Sequence, residues 1–429
     1  MTTFGRRITF GLIGYGAIGA LRAQALEHTP GVRLGMIAEP VDERRAAAAA
    51  KHRAPTTRAL DEMLADPQID AVVVSTPPNL HHAHCVAALR AGKHVLCEKP
   101  LAPTLEQARD MVAVAQACGK ALATGFNYRF YPGVMRAREL IAQGQLGEIV
   151  YVKSYAGHPG GPEFTHAWVH NPEIVGGGAL MDNGIHVADL TLHFLGTFAA
   201  SCGLRSESVW QFAGSEDNGF VLARSEDGRI GMLHASWSAW RGYQWRVEVC
   251  ATKGALEISY PPMLLLHYER PDGAAKHGRR RLHTFPVFQI QERLRSYRWT
   301  VVQSLIAEQV DFVARLQGKT FVGATGADGL HAVELAQSAY RDVTVAAPVS
   351  HTGHFEMVIP FGMCNHRNFS NANPSILRDR FYANPAESLN SLNTSGQAFG
   401  TRFYAKCFRF YWIREDCVLV NHIVDTLRS

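Results

Sequence analysis

The sequence contains no run of about 18 apolar residues, so no membrane-spanning helix is expected. Cysteine is sparse. The 8 thiols (Cys85, Cys97, Cys118, Cys202, Cys250, Cys364, Cys407 and Cys417) form no C-x-x-C pair and no Cys/His array at zinc spacing. A chain of 429 residues does not need disulfides to hold a core. Scattered reduced thiols in a cytoplasmic protein are therefore expected, with no metal site. Charge of one sign is also lacking: 43 basic against 38 acidic residues leave a net +5. That is too thin to argue for nucleic acid or a membrane surface as partner. No internal repeat is visible.

What is present is an ordinary globular mixture, 47% apolar and 19% charged, with length for two or three domains. Arg6-Arg7 before an apolar stretch mimics an export signal, but the stretch runs straight into a glycine turn and reads as a first strand. Strand-like runs at 8–13, 33–38, 69–75, 94–97 and 121–124 alternate with helix-like stretches at 18–28, 42–52, 80–91 and 104–118. A short helix is expected at 60–64. This alternation predicts an α/β domain over residues 1–125, a doubly wound parallel sheet.

Residues 126–349 read as α+β with a mainly antiparallel open sheet. Helices are expected at 132–143, from 179 to about 195, at 299–317 and at about 327–343, with a strand at 148–156. Between residues 195 and 283 lie hairpins, including 220–236 around an Asp-Gly turn and 247–259. The tail, 350–429, has a third texture. Five asparagines occur in the first 350 residues and eight in the last 79, with aromatics at no sustained period, and no fold is assigned to it.

Gly14-Tyr15-Gly16-Ala17-Ile18-Gly19 fits G-x-G-x-x-G between a strand and a helix. Gly14 permits the tight turn, Gly16 lets backbone N–H groups approach a pyrophosphate, and Gly19 lets the helix pack on the strand. Glu39, 20 residues beyond Gly19, ends the second strand where a carboxylate can take ribose hydroxyls. A carboxylate there favours NAD over NADP. Arg44 and Arg45 lie just beyond and could reverse that, so NADP is not excluded.

Three further motifs follow. Ser75-Thr76-Pro77-Pro78-Asn79-Leu80-His81 leads to Glu98-Lys99-Pro100; Gly125-Phe126-Asn127-Tyr128-Arg129-Phe130 stands at the domain junction; and Gly176-Gly177-Gly178-Ala179-Leu180-Met181-Asp182-Asn183-Gly184-Ile185-His186 opens a helix. Over about residues 8–345 the chain resembles the Gfo/Idh/MocA family of glucose–fructose oxidoreductase, inositol dehydrogenase and their relatives. The resemblance implies a Rossmann domain followed by an α+β domain whose open sheet often forms an oligomer interface, hence a homo-oligomer, dimer or tetramer. It implies hydride transfer between nicotinamide and a hydroxyl or carbonyl of a sugar, cyclitol or related polyol. Lys99, Asp182 and His186 stand at the family's catalytic positions. Thr76, Pro77, His81 and Glu98 join the glycine turn as expected cofactor contacts.

Read as chemistry, Lys99 at the carboxyl edge of a parallel sheet can stabilise a developing alkoxide. Asp182 and His186, four apart on one expected helix, share a face. The histidine can take the hydroxyl proton, and the aspartate can orient it or bind substrate. Asp189, one turn on, is either a supporting partner or a structural carboxylate. Arg129, His166 and Trp168 lie on loops that could roof a polyol site. His81, His82 and His84 do not share one helix face, which argues against a metal. The basic run 276–281 reads as a solvated hairpin tip, and Trp237, Trp240, Tyr243 and Trp245 as core or interface residues. Two rival readings keep the fold: a sugar epimerase or glycosidase with tightly held NAD, and a non-catalytic nucleotide sensor.

Overall fold

The computed structural model describes residues 7–160, 164, 168–270 and 278–341. The tail lies outside the described residues, as do His166, Lys276 and His277.

The first part runs β1 (Ile8–Ile13), α1 (Ala17–His28), β2 (Val32–Ala38), α2 (Asp42–Lys51), β3 (Thr56–Thr57), α3 (Leu60–Ala65), β4 (Ala71–Val74), α4 (His81–Arg90), β5 (His94–Cys97), α5 (Leu105–Ala117) and β6 (Leu122–Thr124). The six strands order as β3-β2-β1-β4-β5-β6, and every pair is parallel. β1 and β4 are buried at every position, as strands covered by helices on both faces must be. Strand order reverses between β1 and β4, and ligands bind beyond the strand ends at such a point. The two-residue edge strand β3 is too short to show any period, and sequence pattern does not reveal it.

The second part continues with α6 (Pro132–Ala142), β7 (Ile149–Gly157), α7 (Pro172–Val175), α8 (Ala179–Asp182), α9 (Gly184–Leu195), β8 (Ala200–Ser206), β9 (Asn218–Arg224), β10 (Ile230–Ser236), β11 (Gln244–Ala251), β12 (Gly254–Tyr260), β13 (Leu264–Glu269), β14 (Arg279–Thr284), α10 (Pro286–Arg295), α11 (Tyr297–Leu316) and α12 (Gly326–Gln337). Its eight strands order as β14-β13-β12-β11-β7-β10-β9-β8. All pairs are antiparallel except β7 with β10. β9 shows why one face is open: Gly219, Val221 and Ala223 are buried, while Phe220, Leu222 and Arg224 are exposed. α9 covers the inner face over β7 and β10, and α11 returns to pack along α1.

Three expectations need correction. The single helix expected from 179 is divided at Asn183 into α8 and α9; Gly184, which opens α9, packs its bare Cα against Ala235, where a Cβ would come within 2.6 Å. α10 was not foreseen; Val287, Ile290 and Leu294 recur at helical spacing, but they lie exposed and none of its residues is buried. The basic run is not a hairpin tip where it is described: Arg279, Arg280 and Arg281 lie on edge strand β14, with Arg281 paired to Glu269.

Candidate active site

The glycine turn forms a cradle. Gly14 has φ of +90°, and a Cβ there would lie 3.0 Å from the Ser75 carbonyl oxygen. A Cβ on Gly19 would lie 2.2 Å from the Gly14 carbonyl oxygen, whereas one on Gly16 would meet nothing within 4 Å. That open space faces the start of α1, which has no side-chain cap. Its first N–H groups and positive dipole end are free for an anion. Ala17 and Ile18 form the first turn, exposed and half-buried. Glu39 Oε2 accepts the Tyr15 N–H at 2.6 Å and Oε1 the Val41 N–H at 3.0 Å. This fixes the carboxylate beside the cradle. Arg45 is committed to Asp42 and to the Glu39 and Pro40 carbonyls, while Arg44 is exposed. The donors and acceptors present fit a dinucleotide.

Of the other expected cofactor contacts, Thr76 and Pro77 stand at the end of β4, half-buried and exposed. Two need correction. His81 is fully buried, with Nδ1 and Nε2 each 2.9 Å from the carbonyl oxygens of Pro100 and Thr76. It joins the loops after β4 and β5 and offers no free atom to a ligand. Burial pushes its pKa down, although both carbonyls oppose this. Glu98 serves as the counterion of Arg22: its carboxylate takes Arg22 Nε at 2.6 Å and the Lys99 N–H at 3.2 Å.

Lys99, Asp182 and His186 converge. Lys99 Nζ donates to the Asp182 carbonyl oxygen at 2.8 Å and lies 3.5 Å from Asp182 Oδ1. Asp182 Oδ2 takes Trp237 Nε1–H at 3.1 Å and lies 3.4 Å from His158 Nε2. Burial alone would raise the Asp182 carboxyl. Lys99, His158 and Trp237 outweigh it and hold the group well below the usual carboxylate range. His158 Nδ1 accepts the Gly160 N–H at 3.0 Å, which leaves Nε2 as the protonated nitrogen facing the carboxylate.

His186 is oriented by aromatic packing. Its ring stacks on Tyr128 with centroids 4.0 Å apart and planes 4° apart, and Phe126 meets it edge-on. Tyr128 is fixed in turn by stacking on Trp245 and by its hydroxyl against that of Tyr243. Nδ1 of His186 is buried without a partner. Burial first, then the charge of Lys99, holds its pKa well below 6.5, and Asp182 opposes them. The ring is therefore a neutral imidazole at physiological pH.

The glycine run exists because three elements meet it at van der Waals contact. A Cβ would lie 2.0 Å from the Pro103 carbonyl oxygen at Gly176, 2.0 Å from Tyr340 Oη at Gly177, and 2.1 Å from the Glu216 carbonyl oxygen at Gly178. The Glu216 carboxylate takes the Gly178 and Leu180 N–H groups at 2.9 and 2.8 Å, capping the turn that ends in Asp182.

Arg129 does not roof a site. It is 4% exposed, and its guanidinium pairs with Asp189 at 2.6 Å and Asp328 at 3.2 Å. Asp189 is thus its structural counterion. Trp168 is 52% exposed on a short turn. His82 pairs with Asp110 and His84 contacts Thr76 Oγ1. Among the described residues no cluster of three or more metal-ligating side chains occurs. Sequence reasoning missed His158, Trp237, Tyr128 and Glu216 as site builders. Tyr128 alone lay in a recognised motif.

Comparison with known proteins agrees with this arrangement. Residues 8–126 match the family described as "Oxidoreductase family, NAD-binding Rossmann fold". Residues 134–257 match the "GFO/IDH/MocA C-terminal domain". Inositol 2-dehydrogenase of Rhizobium meliloti (strain 1021) is 28% identical over 347 residues, covering 80% of this chain and 99% of that protein. The 1,5-anhydro-D-fructose reductase of Ensifer adhaerens is 33% identical over 261 residues, 58% of this chain and 74% of that protein. A levoglucosan dehydrogenase solved in complex with NADH superposes with a TM-score of 0.69 at 26% identity, over 78% of this chain and 96% of that one. The glycine cradle, the placed carboxylate and both matched halves lead to one conclusion: the chain is an NAD-binding oxidoreductase and belongs to the Gfo/Idh/MocA family.

Proposed function

We propose that the enzyme oxidises a ring hydroxyl of a sugar or cyclitol, or reduces the matching ketone, with NAD preferred over NADP. One observation carries this reading. Lys99, at the end of a strand in the parallel sheet, reaches Asp182 of the second part at 2.8 Å, beside the imidazole of His186. The groups that handle a reacting oxygen thus meet at the carboxyl edge of the strands, where nicotinamide would lie. The relatives named for inositol, levoglucosan and 1,5-anhydro-D-fructose support a cyclic polyol as substrate class.

Nicotinamide supplies the hydride acceptor, or the donor in reverse. The Lys99 ammonium, with hydrogens to spare beyond its bond to Asp182, donates to the substrate oxygen and stabilises alkoxide charge. Neutral His186 takes the hydroxyl proton at Nε2, since Nδ1 is enclosed. Asp182, ionised throughout the physiological range, holds Lys99 in place. Glu39 receives the ribose hydroxyls, and α1 faces the pyrophosphate.

The test is a panel of cyclitols, aldoses and anhydrosugars assayed for NAD and NADP reduction, with Lys99→Met as control. Turnover of a cyclic polyol that Lys99→Met abolishes supports the reading. Turnover confined to acyclic or non-hydroxylated substrates would overturn it.

A further inference from the structure

Arg22 and Glu308 take no part in the proton chemistry proposed for the cleft, yet they are 0% and 3% exposed. Arg22, on α1, donates from Nη1 to Glu308 Oε2 at 2.5 Å and from Nε to Glu98 Oε1 at 2.6 Å. The other oxygen of Glu98 holds the Lys99 N–H. A continuous chain of contacts thus runs from α11, through α1, to the backbone of Lys99. Room for the guanidinium is reserved: a Cβ on Gly125 would lie 2.6 Å from Arg22 Nη2. Burying such ions costs several kcal/mol each, and an apolar replacement is often neutral or stabilising. Packing alone gives no reason for the triad.

We propose that Arg22 and Glu308 are positioning residues of the reaction: through Glu98 they fix the Lys99 backbone, and the charge on Glu308 sets the field beneath Lys99, Asp182 and His186. This rests on the reading that Lys99 handles the reacting oxygen. Glu308 is buried among charges from every side: Arg22 from α1, Glu98 from the end of β5, Asp189 from α9, and Asp311 and Arg315 of α11 itself beside the same hollow. Burial, assisted by Glu98 and Asp189 and opposed by Arg22, pushes its carboxyl up to about 7. With Glu308 protonated the triad is neutral; once the proton leaves to solvent it carries one negative charge. Arg22 is itself one of the charges that depress His186. Ionised Glu308 offsets that charge, so basicity at His186 rises as pH crosses neutrality.

The experiment uses the full chain loaded with NAD and compares wild type, Glu308→Gln and Arg22→Met. Infrared difference spectra titrated from about pH 5 to 9 should show two protonated carboxyl components, Asp189 leaving near 6 and Glu308 near 7, and Glu308→Gln should remove the second while keeping the first. The kcat profile of wild type should carry a limb near pH 7 that Glu308→Gln removes, with KM and NAD affinity unchanged. Arg22→Met should lower kcat on the order of 10²-fold, as expected for a displaced catalytic group. If that variant does not fold, Arg22→Lys keeps the charge but loses the fork, and the same fall in kcat is expected. No second carboxyl component near 7, or an unchanged profile in Glu308→Gln, overturns the proposal. Should Lys99→Met retain full kcat, the functional reading fails instead, and the infrared titration still stands or falls separately.

Discussion

The three glycines that shape the nucleotide cradle lie within six consecutive residues, Gly14 to Gly19. The groups that hold Asp182 come instead from Lys99, His158 and Trp237, separated by 83, 24 and 55 positions from it. The cradle works through backbone: one open glycine, one uncapped helix and one carboxylate pinned by two N–H groups. The other half works through side chains that meet only once two sheets have formed. A backbone device tolerates change in the surrounding side chains. A convergent cluster fails when any member moves. Substitutions in the second half should therefore cost turnover, and substitutions in the first should cost cofactor affinity.

The sharpest break of that contrast is His186→Ala. Removing a positioned proton acceptor is worth about 10²–10⁴-fold in rate. NAD affinity should be unchanged, because the ring touches Tyr128 and Phe126 and no part of the glycine turn. Burial and Lys99 hold the imidazole well below 6.5, so protonation that blocks it occurs only on the acid side. Its limb in wild type therefore lies well below pH 6.5, where the rate falls as pH falls, and not at neutrality. Steady-state kinetics and NAD titration on the variant decide this. Wild-type turnover with weakened NAD binding would invert the comparison.

The same contrast explains what sequence made legible. The strand–helix alternation, the glycine turn and Glu39 are local patterns, and each reads directly from spacing. Lys99, Asp182 and His186 were found through a resemblance; spacing alone would have left Lys99 a surface residue before a proline. Trp237 and His158 could not be found, since their role depends on β10 lying parallel to β7 and thereby bringing both strand ends to Asp182. Arg129 and Glu98 were misread for a related reason. A charged side chain in a motif suggests a ligand, and only three-dimensional packing shows an internal counterion already in place.

Arg129→Ala sharpens the structural side. It removes the counterion of Asp189, which is 1% exposed, and breaking such a pair costs about 3–5 kcal/mol. Burial raises the Asp189 carboxyl to about 6 even with Arg129 present. A group whose folded pKa exceeds its unfolded value favours the folded state at low pH and loses that advantage as pH rises through the folded pKa. Without Arg129 the pKa rises further. The variant should therefore lose less stability at acid pH, where Asp189 is neutral, than in alkali. Urea unfolding at two pH values checks both the size and the sign. A pH-independent loss would overturn the pairing with Asp189, and a fall in turnover with full stability would restore Arg129 as a substrate ligand.

Glu39→Ala tests the cradle. Hydrogen bonds to a charged group are worth about 1.5–3 kcal/mol, so NAD affinity should fall by about 10–100-fold. NADP, which gains nothing from the carboxylate, should change less, and the gap between the two cofactors should narrow. Turnover at saturating NAD should hold, unlike in His186→Ala. Wild-type efficiency with NADP equal to that with NAD would refute the assignment of Glu39.

The smallest effect is expected from removing the tail. The asparagine-rich composition begins after residue 350. The alignment with inositol 2-dehydrogenase uses 99% of that protein but 80% of this chain, and the superposition on levoglucosan dehydrogenase uses 96% of that one but 78% of this chain. Proteins of this family are therefore nearly complete with a match to about four fifths of this chain. Every group placed at the cleft, from Gly14 to Tyr340, precedes residue 350. We expect a chain ending at about residue 350 to keep its NAD affinity, its turnover and its melting temperature, because a single domain of 100–200 residues closes its own core. The comparison is made by calorimetry, NAD titration and size-exclusion chromatography on the full and shortened chains. A change in oligomer size alone would assign the tail to assembly and leave the catalytic claim standing. Loss of NAD binding together with cooperative melting would place the tail in the core and move the boundary drawn at residue 350.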